Sequence, residues 1–297
     1  MSNFGLKYKY CLDKIFDRCI SKIEEFDDNE KLLISTFGSK MKTGRFNQLK
    51  FDLVNVPEDY VYFILNKKKD IILAIGKKQI GIYLVNSKLF YPTYFSKSLS
   101  FLALIVNTYI ILSSTEANFI EIKYWDNFFP GSIINVKHLV GHTDGVIYLC
   151  VVGDDYLLSG SRDATIKYWK ISTLECIRTF VGHKGFVTSL MFLKTGECFK
   201  TLIGHKNLIY DIQETRNAEI VSLGMYAVLK FWNIETGTCM LSLSSEINDR
   251  WSCFRILESG KLVTGSQAGK IQIWSDEQIV FEYQEKICQR KKSCNIL

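Results

Sequence analysis

The sequence predicts an all-β chain assembled from repeated four-stranded units, and three observations carry that expectation. Tryptophans 125, 169, 232 and 274 recur in steps of 44, 63 and 42 residues, the middle step being one and a half times the last. Each closes a β-rich run, "IEIKYW", "TIKYW", "VLKFW" and "KIQIW", and before each lies a second short apolar run, "IILSS", "YLLSGS", "EIVSLG" and "KLVTGS". The dipeptide Gly-His stands at His142, His183 and His205, three of the four histidines, and His142 and His205 each precede the next tryptophan by 27 residues. Short β-branched and aromatic runs cut by Gly, Ser and Asn turns are strand signals. A period of ~40–45 residues is that of one blade in a radial array of sheets.

The units follow in order. Stepping 42 residues back from Trp125 reaches Tyr83 inside "QIGIYLV", itself preceded by "IILAIG". Five units are therefore expected, around Tyr83, Trp125, Trp169, Trp232 and Trp274. The segment 98–115, "SLSFLALIVNTYIILSST", holds no charged residue and approaches the ~20 apolar positions of a membrane span. Asn107 and Thr108 interrupt it, and the register assigns it to two strands and a turn. The glycines of "GKKQIG" (76–81) and the trio Gly153, Asp154 and Asp155 suit hairpin turns. Between His183 and Gly204 stands half a unit: "GHKGFVTSLMFL" begins one and "KTGECFKTLIGH" ends one. A two-strand remnant exposes unpaired edges. Either this unit is degenerate or the sequence lacks a segment, and the intact pattern at both junctions favours the second.

At the N-terminus, Leu12, Phe16, Cys19, Ile23 and Phe26 are spaced 4, 3, 4 and 3, which predicts an amphipathic helix over residues 8–26 packed on the sheets. "QLKFDLVNV" (48–56) and "EQIVFEY" (277–283) are both candidates to complete the last sheet. The expected division is an N-terminal helix (1–30), the repeats (31–285, with the half unit at 183–204) and a basic tail (286–297). That tail ends in Cys294-Asn295-Ile296-Leu297 behind Arg290, Lys291 and Lys292, a pattern for geranylgeranylation of Cys294. One lipid plus basic residues is a combination that holds proteins at anionic membranes.

Composition narrows the function class. Of 297 residues 47% are apolar and 13% aromatic, with three prolines, which excludes a disordered chain. The net charge of +6 is spread along the sequence, a bias towards acidic partners and no more. Nine cysteines without a C-x-x-C pair give neither a zinc pattern nor a disulfide framework, so no metal and no cofactor is expected. An odd cysteine count, no glycosylation sequon and no leader favour a reducing, cytoplasmic setting. The basic runs "NKKKD" (66–70) and Lys77-Lys78 fall at successive turns, which point to opposite faces, so no nucleic-acid stripe is expected.

Residues 141–179, "GHTDGVIYLCVVGDDYLLSGSRDATIKYWKISTLECIRT", resemble the WD-repeat (WD40) β-propeller family. The resemblance is strong over 131–275 and weaker over 56–130. It implies a buried tetrad of His142, Ser159, Asp163 and Trp169, in which Asp orients imidazole, imidazole bonds hydroxyl, and hydroxyl takes the indole N–H. A hydrolase triad is set aside, because no G-x-S-x-G turn accompanies these residues. Other units depart from the pattern: Tyr226 and Ala268 stand in place of Asp, and Pro57 and Ser98 in place of His, so those blades are expected to depend on apolar packing. The family commonly binds partners where the first strand of each blade begins, which places Tyr60, Phe101, Gly145, Phe186, Leu208 and Arg250 there, with Tyr62, Tyr210 and Arg162 beside them. Tyr, Phe and Arg are anchor types of protein interfaces. The resemblance thus implies a non-catalytic scaffold for protein–protein interactions. The rivals are a membrane-tethered adaptor and the targeting module of a larger enzyme.

Overall fold

The computed structural model describes residues 10–12, 20–27, 31–36, 41–45, 50–53, 60–65, 71–76, 79–85, 87–94, 102–106, 109–113, 117–125, 133–193, 202–215, 219–245 and 249–274. Within them are twenty-four strands and six antiparallel four-stranded sheets. The first sheet holds β2 (Ile20–Asp27), β3 (Lys31–Thr36), β4 (Met41–Arg45) and β5 (Lys50–Leu53) in chain order. The second holds β6 (Tyr60–Leu65), β7 (Ile71–Gly76), β8 (Gln79–Leu84) and β9 (Leu89–Tyr94). The third holds β10 (Leu102–Val106), β11 (Tyr109–Ser113), β12 (Phe119–Trp125) and β13 (Ile133–Val140). The fourth holds β14 (Val146–Val152), β15 (Tyr156–Ser161), β16 (Thr165–Lys170) and β17 (Glu175–Val181). The fifth holds β18 (Ile209–Glu214), β19 (Glu219–Gly224), β20 (Val228–Asn233) and β21 (Cys239–Ser244). The sixth joins β22 (Trp251–Ile256), β23 (Leu262–Ser266) and β24 (Ile271–Trp274) to the N-terminal β1 (Tyr10–Leu12).

Three sequence expectations are corrected here. There are six complete sheets, not five, because residues 20–53 form a sheet of their own. The described parts of the helix expected over 8–26 are strands instead, Tyr10–Leu12 in β1 and Ile20–Asp27 in β2. A β-bulge between Ile20 and Lys22 shifts the register by one residue, so Ile20 and Ile23 both turn inward at a spacing of three. A bulged strand thereby imitates the helical period. Finally, the described part of 48–56 does not complete the last sheet. Lys50–Leu53 is the outer strand of the first sheet, whereas Tyr10 pairs with Ile273 and Leu12 with Ile271. Residues 277–283 and the tail with Cys294 lie outside the described residues. The uncharged segment 98–115 is a hairpin over its described part, with Val106 paired to Tyr109.

The first strands of the sheets neighbour one another around a circle: β22 meets β2, β2 meets β6, β6 meets β10, and β10 meets β14. On the other side β18 meets β22. Between β14 and β18 stands the half unit. Val187 is 4% exposed, its N–H donates to the Ser161 carbonyl (3.1 Å), and the Thr188 hydroxyl donates to the Ile209 carbonyl (2.8 Å). The chain after His183 thus fills the position of a first strand, although among the described residues no sheet is built on it.

Cores lie between sheets, as expected of sheets packed face to face. Ile20, Ile23, Leu32 and Ile34 of the first sheet pack on Cys253, Val263, Ile271 and Ile273 of the sixth. Ile111, Ile120, Ile122 and Leu139 of the third pack on Leu149, Leu157 and Trp169 of the fourth. The fifth and sixth share Val221, Leu229, Phe231, Trp251, Phe254 and Trp274.

Candidate interaction face and its supporting network

In the fourth sheet the loop before β14 and the turn after β15 come together through side chains. The Trp169 indole N–H donates to Ser159 Oγ (2.8 Å), and Ser159 Oγ lies 2.7 Å from His142 Nε2. His142 Nδ1 lies 2.8 Å from Asp163 Oδ2. An indole can only donate. The ionised Asp163 carboxyl can only accept, so Nδ1 carries the imidazole proton and Nε2 takes the serine proton. Asp163 also accepts from Thr143 N–H (3.0 Å), Thr165 N–H (2.9 Å) and the Thr165 hydroxyl (2.6 Å). Burial alone would raise the Asp163 carboxyl, but these bonds from Thr165, Thr143 and His142 outweigh it and hold the group below the ordinary range. Burial pushes His142 down, against the pull of Asp163, so the imidazole is neutral.

Gly precedes His for a steric reason. A Cβ on Gly141 would lie 3.1 Å from Trp169 Cη2, and one on Gly204 would lie 2.9 Å from Trp232 Cη2. The glycine is the surface against which the indole edge rests. His183, in the half unit, has no serine or tryptophan to meet and is exposed.

Two other sheets depart from the fourth in different ways. In the fifth, Trp232 Nε1 donates to Ser222 Oγ (2.8 Å), and Ser222 Oγ lies 2.7 Å from His205 Nε2, but Tyr226 stands where the acid would be and points to solvent. In the sixth, Trp274 Nε1 donates to Thr264 Oγ1 (3.2 Å) and Trp251 Nε1 donates to Gln272 Oε1 (2.7 Å), the two indoles meeting edge to face. Those sheets therefore keep buried polar networks beside their apolar packing. The Gln272 and Trp251 pair escaped the sequence reading because nothing in the repeat marks it. The Trp125 backbone ends β12.

The turns after the second strands repeat bond for bond. The N–H groups of Arg162, Met225 and Gln267 donate to the carbonyls of Gly145, Leu208 and Arg250, each at 2.9 Å. Two residues further along, the N–H groups of Ala164, Ala227 and Gly269 donate to the carbonyls of Ser161, Gly224 and Ser266, with positive φ at all three donors. Three sheets thus place equivalent residues at one edge. Arg162 is exposed there, its guanidinium 5.9 Å from the Phe186 ring, and Phe186 is 54% exposed. Leu208, Tyr210 and Arg250 are exposed as well, whereas Gly145 is buried. Tyr60 and Tyr62 lie on β6, and Phe101 lies outside the described residues.

Charged side chains that the sequence reading missed line the first strands. Glu24 of β2 pairs with Lys22 (2.7 Å) and with Arg255 of β22 (3.4 Å). Burial raises the carboxyl of Asp211 on β18, partly countered by bonds from Gln213 and Ile212 and by the charges of Lys22 and Arg255.

Residues 134–170 match the family model "WD domain, G-beta repeat". The chain is 46% identical over 41 residues to the Lissencephaly-1 homolog of Heterostelium pallidum, covering 14% of this chain and 10% of that protein. It is 26% identical over 155 residues to the U3 snoRNP-associated protein-like EMB2271 of Arabidopsis thaliana, covering 45% of this chain and 32% of that protein. The matched part therefore spans about a tenth of the first relative and about a third of the second.

Proposed function

We propose that this chain, whose residues 134–170 match the WD domain model, is a non-catalytic, cytoplasmic WD-repeat scaffold that binds protein partners at the edge bearing Arg162, Phe186, Leu208, Tyr210 and Arg250. The observation that carries this reading is the threefold recurrence of the turn bond at Arg162, Met225 and Gln267. It fixes exposed aromatic, apolar and cationic side chains on rigid sheets, and preformed sites of that composition bind at low ordering cost.

The test is quantitative co-purification from cells of the wild type beside Arg162→Glu with Phe186→Ala. A defined set of proteins retained by the wild type and lost from the variant, at equal unfolding midpoints, is the expected result. An identical set in both sinks this face as the binding surface. Tethering through Cys294 is the second reading, favoured by the sequence of the tail. Labelling with an isoprenoid analogue in wild type but not in Cys294→Ser supports it, and absent or equal incorporation removes it.

A further inference from the structure

The fifth sheet holds an unfinished network. The Trp232 indole donates to Ser222, and Ser222 Oγ stands 2.7 Å from His205 Nε2, as Ser159 Oγ does from His142 Nε2. With the proton placed as on His142, His205 Nδ1 is an N–H donor, and no side chain among the described residues accepts from it. Burial and the nearby Lys230 hold the ring neutral by lowering its affinity for a proton.

The space in front of Nδ1 is open. A pocket of about 220 Å³ is lined by Gly204, His205, Lys206, Asn207, Gly224, Met225, Tyr226, Val228 and Lys230. It contains two lysines and no carboxylate. A Cβ on Gly224 would come within 2.5 Å of His205 Nδ1, so glycine keeps this side of the ring clear. Apolar surface borders the opening: Leu208 is 46%, Met225 42% and Tyr226 58% exposed, with Met225 N–H bonded to the Leu208 carbonyl.

The fourth sheet shows what such a space accepts. There a carboxylate takes the imidazole N–H and also the N–H of Thr143, the residue after the histidine. Lys206 is the equivalent residue in the fifth sheet, and among the described residues its N–H makes no hydrogen bond. We propose that this pocket is a docking site for the carboxylate of a partner protein, an Asp or Glu carried between apolar residues, which completes in trans the network that Asp163 completes in cis. The carboxylate accepts from His205 Nδ1–H and Lys206 N–H, Lys206 and Lys230 supply the field, and the flanking apolar side chains lie on Leu208, Met225 and Tyr226. Charge-assisted bonds of this kind are the stronger ones. The inference rests on the scaffold reading and names the partner chemistry at one part of that face.

The experiment uses two capped tripeptides, Ac-Leu-Asp-Leu-NH2 and the neutral Ac-Leu-Asn-Leu-NH2, titrated into the full chain while the histidine ring signals are followed by NMR. With four histidines the His205 signals are assigned by their loss in His205→Gln. The aspartate peptide is expected to shift the His205 ring saturably and leave His142 unmoved. The asparagine peptide should bind at least about tenfold more weakly, the minimum for a lost charge-assisted bond. Tyr226→Asp, which places the acid in cis, should abolish the response and raise the unfolding midpoint. Equal response to both peptides, no movement of His205, or full binding by Tyr226→Asp overturns the proposal. The titration needs no cellular partner. It can therefore fail while co-purification succeeds, leaving the scaffold reading intact, and the reverse outcome separates the two equally well.

Discussion

Gly160 of the fourth sheet and Val187 of the half unit touch: a Cβ on Gly160 would lie 2.7 Å from Val187 Cγ1 and 2.9 Å from the Val187 carbonyl oxygen. The same relation closes the circle elsewhere, where a Cβ on Gly265 would lie 2.8 Å from Ile20 Cγ2. Val187 therefore stands to the fourth sheet as Ile20, on the first strand of its own sheet, stands to the sixth. The half unit has kept the part of a blade that its neighbours need.

That contact makes Gly160→Ala a probe of the half unit. The new methyl meets backbone, which cannot rotate away, so a loss of about 1–3 kcal/mol is expected. Gly185→Ala, with nothing within 4 Å of its Cβ, is the matched control and should change stability little. Denaturant unfolding of both variants checks this. Equal midpoints would mean that residues 183–193 do not bear on the fourth sheet.

Ser159→Ala and Ser222→Ala remove the same hydroxyl from a complete and an incomplete network. In the fourth sheet Ser159 and His142 are both buried, so the orphaned indole and imidazole find no water, and about 1–3 kcal/mol is lost. His205 is only half-buried, so water replaces the serine in part and Ser222→Ala should cost less. The reverse order in thermal unfolding would show that the Asp163 contacts do not stiffen the fourth network.

Much of this architecture could be read from spacing alone, because tryptophan, serine and Gly-His are tied to one another by direct contact. The 17 residues from His142 to Ser159 and the 10 from Ser159 to Trp169 recur as 17 and 10 through His205, Ser222 and Trp232. The first sheet was illegible for the opposite reason. It has no tryptophan or Gly-His, and its bulge at Ile20–Lys22 gave the apolar residues a helical spacing. β1 was hidden too, since three residues paired with a strand some 260 positions away carry no local signal. In the fifth sheet the sequence showed Tyr226 in place of the acid, but only the coordinates show the pocket that this leaves in front of His205.

Ala227 occupies a left-handed turn position at φ 56°, where the sixth sheet has Gly269 at φ 84°. A side chain there costs about 1–2 kcal/mol of local strain, offset in part by the greater freedom glycine gives the unfolded chain. Ala164→Gly at φ 64° should therefore stabilise by about 0.5–1 kcal/mol, and Ala227→Gly by less, because Ala227 is fully buried and its methyl contact with the core is lost. An unchanged or lower midpoint in both variants would show that the turn is not strained.

Acid should loosen the molecule in two stages, and the sign follows from the direction of each shift. Burial lowers His142 and, with the Lys230 charge, lowers His205. The unfolded chain therefore takes up protons near the ordinary histidine value of about 6.5 while the folded chain does not. Stability from this source is complete above that pH and declines below it. Asp163 is held below the ordinary carboxylate range by its hydrogen bonds, so its contribution persists until the pH falls through that range. Thermal midpoints should drop between pH 7.5 and 5.5 and drop again below about 4. The double variant His142→Gln with His205→Gln should start lower and lose the first drop but keep the second. Asp163→Asn should do the converse: with no anion beside it, His142 resists protonation more strongly, so the first drop steepens while the second shrinks. A wild-type midpoint that is flat from pH 7.5 to 5.5 would mean that neither ring is shielded from protonation as the two buried networks require.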